Sequence, residues 1–460
     1  MEETALEKRA RCIVEVLRNA GHEAYFAGGS VRDRLMGKSP QDIDIATSAV
    51  PEEVMTIFPR TFPVGVSFGV ILVLMEDQPF EVATFRSDGE YFDNRHPGDV
   101  TFSSAEEDVK RRDFTINGML YDPLEDKVID YVGGRKDIRD RVIRAIGDPR
   151  QRFTEDHLRM LRAIRFASRL GFSIHPDTWE ALVDLGPAIS SVSAERFRDE
   201  LLKILTDGDA CGAVKRIQKA GMLRVWLPEI EALQNVLQPK QYHPEGDVWN
   251  HTFKCLEEMD KMHHQEGESI PETLALAVLL HDTGKKIRTH IGEDGRPRAH
   301  GHPAESARIA GVICDRLKTS KHMKKMVVGL VRDHGKPAVA PKMKLSRLKR
   351  LLREEHFTEL LQLHRIDRLG GSGDLSTWHF LKKAADTYKE EQIKPPPLLR
   401  GKDLAAMGYS PGPSYGHALG LLEEAQLNEE IKTRKEAKEL IKKILGLPNK
   451  QGGLRDKDRP

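Results

Sequence analysis

The sequence predicts an α+β chain: a small mixed sheet with helices at the N-terminal end, followed by all-helical domains. Three observations carry this. Between residues 23 and 86 the short β-rich runs "EAYFAGG", "DIDIAT", "GVILVLME" and "FEVATFR" alternate with helical stretches. Beyond about residue 150 the strand signal fades, and 3.6-period segments such as "TEDHLRMLRAIRFASRLGF" and "SAERFRDELLKILTDG" take over. Ten of the eighteen histidines then fall between His243 and His334, which marks a third region by composition.

Taken in order, "MEETALEKRARCIVEVLRNAG" has acids first and no sustained apolar core, so it reads as an amphipathic helix ending at Gly21 and not as a signal peptide. "EAYFAGGSVRD" reads as strand, glycine turn and helix; after "DIDIAT" a helix starts at Pro51 behind Ser48. The expected divisions are 1–147, 148–235, 236–392 and a helical tail over 393–446. "KPPPLLRG" (394–401) is read as a stiff linker into that tail, and 447–460 as disordered. Apolar residues are 39% and charged residues 31% of the 460, and no apolar run approaches the roughly 18 residues of a membrane span. The expectation is a protein of the cytoplasm with no membrane partner. Cys12, Cys211, Cys255 and Cys314 form no CxxC pair, which argues against a disulfide framework and a thiolate zinc site and for buried free thiols. The net charge of +1 conceals a run from 318 to 353 with twelve Lys/Arg and one acid, Asp333. Such a run is either a solvated helix surface or a face for phosphate backbone.

On an extended strand Asp42 and Asp44 point to one side while Ile43 and Ile45 turn to the core. Two carboxylates held together repel unless a cation sits between them. Mg²⁺ ions roughly 3.5–4 Å apart would use the pair to bind a triphosphate and activate an attacking hydroxyl. D-x-D alone describes surface acids equally well, but "GGSVRD" upstream places Gly28 and Gly29 at a strand-to-helix turn, where bare N–H groups can meet a phosphate, with Arg32 one turn in. Glu81, on another strand, either completes the acidic cluster or is an ordinary strand acid. Asp156, Arg159, Arg162 and Arg165 stand three apart, a ridge opposite Met160, Leu161 and Ile164 on a helix. The ridge either faces a ligand or holds a local Asp–Arg pair among solvated arginines.

In the histidine-rich region "VWNHT" supplies His251, "LLHDTGKK" His281 and Asp282, "AHGHPAES" His302, "VRDHGKP" His334 and "HRIDRL" Asp367. Helices can bring imidazoles and carboxylates around a divalent ion, and adjacent His281 and Asp282 can share one. His302 and His334 suit a second metal, and His290, His300 and His322 are read as surface residues.

Together with "EEDVKRRDFTINGMLYDP" (106–123), "DYVGGRKDIRDRVIRAIGDPRQRFTEDHLRMLRAIRFASRLGF" (130–172), "SAERFRDELLKIL" (193–205) and the tail from "LLRGKDLAAMGYSPGP" onward, these motifs resemble the class II, bacterial-type tRNA nucleotidyltransferase and poly(A) polymerase family, within the DNA polymerase β-like nucleotidyltransferase superfamily. The histidine order resembles an HD-family metal-dependent phosphohydrolase domain. The resemblance implies a nucleotidyltransferase head over 1–147, a neck for nucleotide recognition and RNA binding over 148–235, and an HD domain over 236–392. It implies that Asp42 and Asp44 hold catalytic Mg²⁺, that Arg111 or Arg112 with Asp113 meets ribose and phosphates, that Asp156 and Arg159 meet the incoming base, and that Arg162 and Arg165 meet the phosphates. An ionised Asp only accepts and an Arg only donates hydrogen bonds. Adenine and cytosine present an amino donor beside a ring-nitrogen acceptor, whereas guanine and uracil present the reverse, so one such pair can admit ATP and CTP alone. The segment "FRSDGEYFDNRHPGDVTF" (85–102) resembles the flexible loop of family members that add the terminal A.

The implied activity is addition of CCA to tRNA 3′ ends from CTP and ATP, with tRNA as partner and no obligate protein partner. An A-adding enzyme or a poly(A) polymerase is the near alternative. The distant one is an HD phosphohydrolase with a non-catalytic RNA-binding head, against which the intact Asp42, Asp44 and "RRDFT" count.

Overall fold

The computed structural model describes residues 4–65, 68–88, 100–239, 241, 243–267 and 269–446. Residues 89–99 of the terminal-A loop segment and the tail 447–460 lie outside the described residues. Two compact units are formed: one by residues up to Gln234 with Met259–Ala275 and Val312–Ser320, the other by Asn235–Glu258, Leu276–Gly311 and residues from Lys321 on.

In the first unit, helix Ala5–Asn19 opens with a capping box in which Thr4 and Glu7 exchange side-chain and backbone hydrogen bonds. Its buried stripe of Ala10, Ile13, Val14 and Leu17 shares one core with Ile43, Ile45, Val73 and Phe80. The mixed sheet has seven strands in the order Thr61–Gly65, Val70–Met75, Gln78–Thr84, Asp44–Thr47, Ala24–Ala27, Met119–Asp122, Lys127–Asp130. Gln78–Thr84 runs parallel to Asp44–Thr47, and the other neighbours pair antiparallel. The expected α+β class is borne out, as are the four quoted strand runs and the helix from Pro51. Met119–Asp122 and Lys127–Asp130 lie outside the quoted runs: the first is buried at every position and the second alternates at none, so neither shows a period of two.

Helices then follow. Pro149–Glu155 starts behind Asp148, whose carboxylate accepts the Arg150 N–H at 2.8 Å, and Leu158–Leu170 ends at Gly171 in the left-handed region. The segment "TEDHLRMLRAIRFASRLGF" is therefore not one helix. Asp156, with φ −150° and ψ 104°, is extended and separates the two.

The second unit is helical, and its tail helices Gly401–Ala406, Pro413–Leu427 and Arg434–Leu445 enclose a cluster of Leu399, Leu404, Leu422 and Ile441. Lys349, counted in the basic run, is buried and donates to the Leu427 carbonyl at 3.0 Å and to Glu429 at 2.8 Å, so that run is not one solvated face. Cys211, Cys255 and Cys314 are buried and unbridged as expected, but Cys12 is exposed. No helix among the described residues is long and apolar enough to cross a membrane.

Candidate functional site

Strand Ala24–Ala27 ends at Gly28, whose φ of 71° and ψ of −132° suit only glycine, and helix Gly29–Leu35 begins at once. A Cβ on Gly28 would stand 3.4 Å from Arg112 Nη1 and 3.8 Å from Asp44 Oδ2, so the turn, an arginine and a carboxylate converge. Asp42 and Asp44 are exposed while Ile43 and Ile45 are buried, the alternation expected of this strand. Glu81 precedes Val82, the parallel partner of Ile45, and so shares Asp44's face of the sheet. Although Asp44 opens to solvent, its carboxyl is crowded by the walls of the cleft; that desolvation first, then Glu81 and Asp42, push it up to about 6, with Arg112 opposing. Crowded carboxylates of this kind are relieved by a hard cation, and an all-oxygen donor set fits one.

Asp108, which is buried, accepts from both arginines of "RRDFT": Arg111 Nη2 at 2.6 Å and Arg112 Nη2 at 2.9 Å. Burial would raise its carboxyl, yet Arg112 and Arg111 hold it below its ordinary value. The two arginines diverge beyond it. Arg111 Nε also donates to the Arg86 carbonyl at 2.9 Å, whereas Arg112 faces Gly28 and Asp44. Asp113 is buried and accepts from Arg162 Nε at 2.8 Å and from the Phe114 N–H; Arg162 outweighs burial and lowers its pKa. Asn117 links the sheet side to the helical side, accepting from Arg32 Nη1 at 2.8 Å and donating to Asp113 at 3.4 Å.

The break at Asp156 changes the reading of the ridge. Asp156 stands before the helix that carries Arg159, Arg162 and Arg165; the Arg159 N–H donates to the Asp156 carbonyl at 3.0 Å, but their side chains are held by other residues. Arg196 holds Asp156 through two hydrogen bonds, 3.1 and 2.7 Å, and Glu155 takes Arg159 Nη1 at 2.6 Å. Met160, Leu161 and Ile164 are buried as expected. Arg165 is also buried, in an ion pair with Glu200, and Phe166 lies under Arg32, Arg162 and Arg165 at 5.5, 5.3 and 4.4 Å.

These groups surround one cleft of about 520 Å³. It is lined by Asp42, Asp44, Gly28, Gly29, Arg32, Arg111, Arg112, Asp113, Asp156, Arg159, Arg162 and Arg165, joined by Asp33, Asn117, Leu158, Phe166, Arg169 and Arg196. Of the expected head and neck residues, Glu81 alone is not in the lining. Eight arginines against five aspartates leave an excess of cation that suits a polyphosphate. Sequence reasoning missed Asp108, Asn117, Glu155 and Arg196. The first three stand three or four residues from arginines or aspartates already chosen, a signal that was available; Arg196 is brought in from a separate helix and left none.

In the second unit, Asp282 Oδ2 lies 3.4 Å from His281 Nε2 and 3.7 Å from His251 Nε2, while Oδ1 lies 3.3 Å from His302 Nε2 and 3.8 Å from His334 Nε2. Asp367 Oδ1 is 3.0 Å from His251 Nε2 and 3.8 Å from His281 Nε2. All six expected residues thus converge. His281, His302 and His334 each place Nδ1 on a backbone carbonyl, of Val278, Ala299 and Val331, which turns Nε2 inward, the arrangement second-layer contacts impose on metal-binding imidazoles. Burial opposes ionisation of Asp282, but Lys285, 2.7 Å away, and His281 hold its carboxyl well below the usual range. Glu245, not expected, accepts from His251 at 2.7 Å and His243 at 2.9 Å. His290, His300 and His322 are exposed, as expected.

Residues 24–144 match the "Poly A polymerase head domain", 171–234 the "Probable RNA and SrmB- binding site of polymerase A", and 248–370 the "HD domain". The chain is 45% identical over 227 residues to a CCA-adding enzyme of Geobacillus stearothermophilus, covering 49% of this chain and 56% of the relative. The chain spans about half the length of the curated relatives it matches. The crystal structure of the Bacillus stearothermophilus CCA-adding enzyme in complex with CTP superposes with a TM-score of 0.71 at 28% identity, over 96% of this chain and 98% of that one. The Thermotoga maritima CCA-adding enzyme complexed with tRNA_CCA shares the fold, with a TM-score of 0.57 at 20% identity over 96% of each chain.

Proposed function

We propose, because the chain belongs to the tRNA nucleotidyltransferase and poly(A) polymerase family and carries its head, RNA-binding and HD modules in that order, that it adds CCA to tRNA 3′ ends from CTP and ATP in the cytoplasm. The observation that carries the reading is the single cleft into which turn, carboxylates, arginines and Asp156 all open. Asp42 and Asp44, supported by Glu81, would hold Mg²⁺, which when bound favours ionisation of the attacking 3′-hydroxyl and neutralises the departing pyrophosphate.

The chain's own side chains do the rest. Arg112 and Arg162 are aimed at the triphosphate. Asp113 fixes Arg162, and Asp108 fixes Arg112, so the positive charge is in place before the nucleotide arrives. Arg196 holds Asp156 and Glu155 holds Arg159 at the cleft, where an acceptor beside a donor matches an amino group beside a ring nitrogen. Of the two arginines, Arg112 is the one proposed to touch the nucleotide. Purified protein offered tRNAs ending before CCA, after C and after CC, with CTP and ATP separately, tests this. Two C additions followed by A support CCA addition, A added to the CC end alone indicates an A-adding enzyme, and long A tails indicate a poly(A) polymerase.

A second reading has its own observation. The six converging residues around Asp282 suit a divalent metal centre of the HD phosphohydrolase kind, independent of nucleotide addition.

A further inference from the structure

Cys255 sits one helical turn beyond His251, fully buried, with Sγ 3.5 Å from His251 Nε2. His251 Nε2, Cys255 Sγ, His281 Nε2 and Asp367 Oδ1 lie within 4.8 Å of one another. Four such donors around one ion, at about 2.0–2.3 Å in a tetrahedron, would stand roughly 3.3–3.6 Å apart. Three of the six edges, at 3.0, 3.5 and 3.8 Å, bracket that range, and the others are within 4.8 Å. One further observation points to a ligand at their centre. His281 Nε2 is buried and has no hydrogen-bond partner, and its Nδ1 is committed to the Val278 carbonyl, so the inward nitrogen is the one free to coordinate. Gly370, three residues after Asp367 on helix Phe357–Gly370, lets that helix pack directly on Cys255, since a Cβ there would lie 2.7 Å from Sγ and 3.1 Å from the Cys255 backbone N.

We propose that Cys255 is a metal ligand of this centre, completing a two-histidine, one-cysteine, one-aspartate set that selects a borderline transition metal of the zinc class over magnesium or calcium. The inference rests on reading the HD region as a metal centre. A thiolate is a soft donor that favours such ions, whereas Mg²⁺ and Ca²⁺ take oxygen. Asp282 lies outside this set, its Oδ2 2.7 Å from Lys285 Nζ and its Oδ1 facing His302 and His334.

The test is to strip the full-length protein with a chelator, load it with Co²⁺, measure the cobalt retained and record the near-ultraviolet thiolate-to-cobalt charge-transfer band. The expected result is a band in the wild type that is lost in Cys255→Ser, which still retains cobalt with about 10- to 100-fold weaker affinity. Should Cys255→Ser not fold, the complementary protein with Cys12, Cys211 and Cys314 replaced by serine decides, because the band must persist when Cys255 is the only thiol. Cobalt retained without the band, or a band unchanged in Cys255→Ser, overturns the ligand and leaves the metal centre standing. No cobalt retained at all overturns the metal centre as well.

Discussion

In the cleft of the first unit Asp42 and Asp44 stand exposed, and their companions are arginines already engaged by Asp108, Asp113 and other acids. In the second unit Asp282 is 2% exposed, His251 and His281 are fully buried, and several of the imidazoles are tied at Nδ1. Exposed carboxylates exchange a weakly held ion readily, so a cation can enter with each nucleotide and depart with pyrophosphate. Buried, pre-oriented imidazoles would retain an ion once bound, because its leaving would strand uncompensated donors away from water. On the proposed reading, the same element of chemistry, an acid facing a cation, is built for turnover in one place and for permanence in the other.

The largest expected effect separates the two. Asp44→Ala should lower nucleotide addition at least roughly 10³-fold, with tRNA binding by filter assay within twofold of wild type; addition within tenfold of wild type removes the metal role. Asp282→Ala should do the opposite. Metal retained by the second unit should fall about 10- to 100-fold, while labelled ATP incorporation stays within twofold, and loss of both in a folded protein would end the idea of separate sites.

Within the cleft, Arg112→Lys should cost about 30- to 100-fold in kcat/KM and Arg111→Lys under about fivefold, since only Arg112 presents its planar donors to the turn and the carboxylates. Equal losses would return the choice to where the sequence left it. The pH response sharpens the contrast further. With its carboxyl raised to about 6, Asp44 holds a proton below that value and must release it to bind a cation. The Mg²⁺ concentration giving half-maximal addition should therefore rise about tenfold for each pH unit below 6 and be flat above 7; a flat response down to pH 5 would contradict it. Smallest is Arg196→Ala, which leaves Asp156 without its clamp and should weaken discrimination against UTP and GTP by about fivefold in competition assays.

Local pattern made much of this legible. The alternation of Asp42, Ile43, Asp44 and Ile45 is a period-two signal that survives into the structure, and the glycine pair marks a turn whose first residue takes a backbone conformation open only to glycine. The histidine and aspartate order was also readable, because each motif sits on its own segment and the residue types admit few other roles. Spacing failed at Asp156. Four residues three apart look continuous on a helix, yet the backbone extends at Asp156, so the first member of the ridge belongs to a junction.

By itself the sequence determined the α+β class, the strand that begins at Asp44 just after Asp42, and most of the residues that converge on the two centres, since these follow from local periodicity and from side chains whose chemistry is specific. Only the tertiary structure decided the partners. Arg196 reaches Asp156 across 40 residues, Asn117 reaches Arg32 across 85, and Cys255, read as an ordinary buried thiol for want of a CxxC pair, comes to lie beside His281 and Asp367. A hydrogen bond or a coordination shell is set by distance in space, and packing of the cores brings together residues whose separation along the chain carries no signal of their meeting.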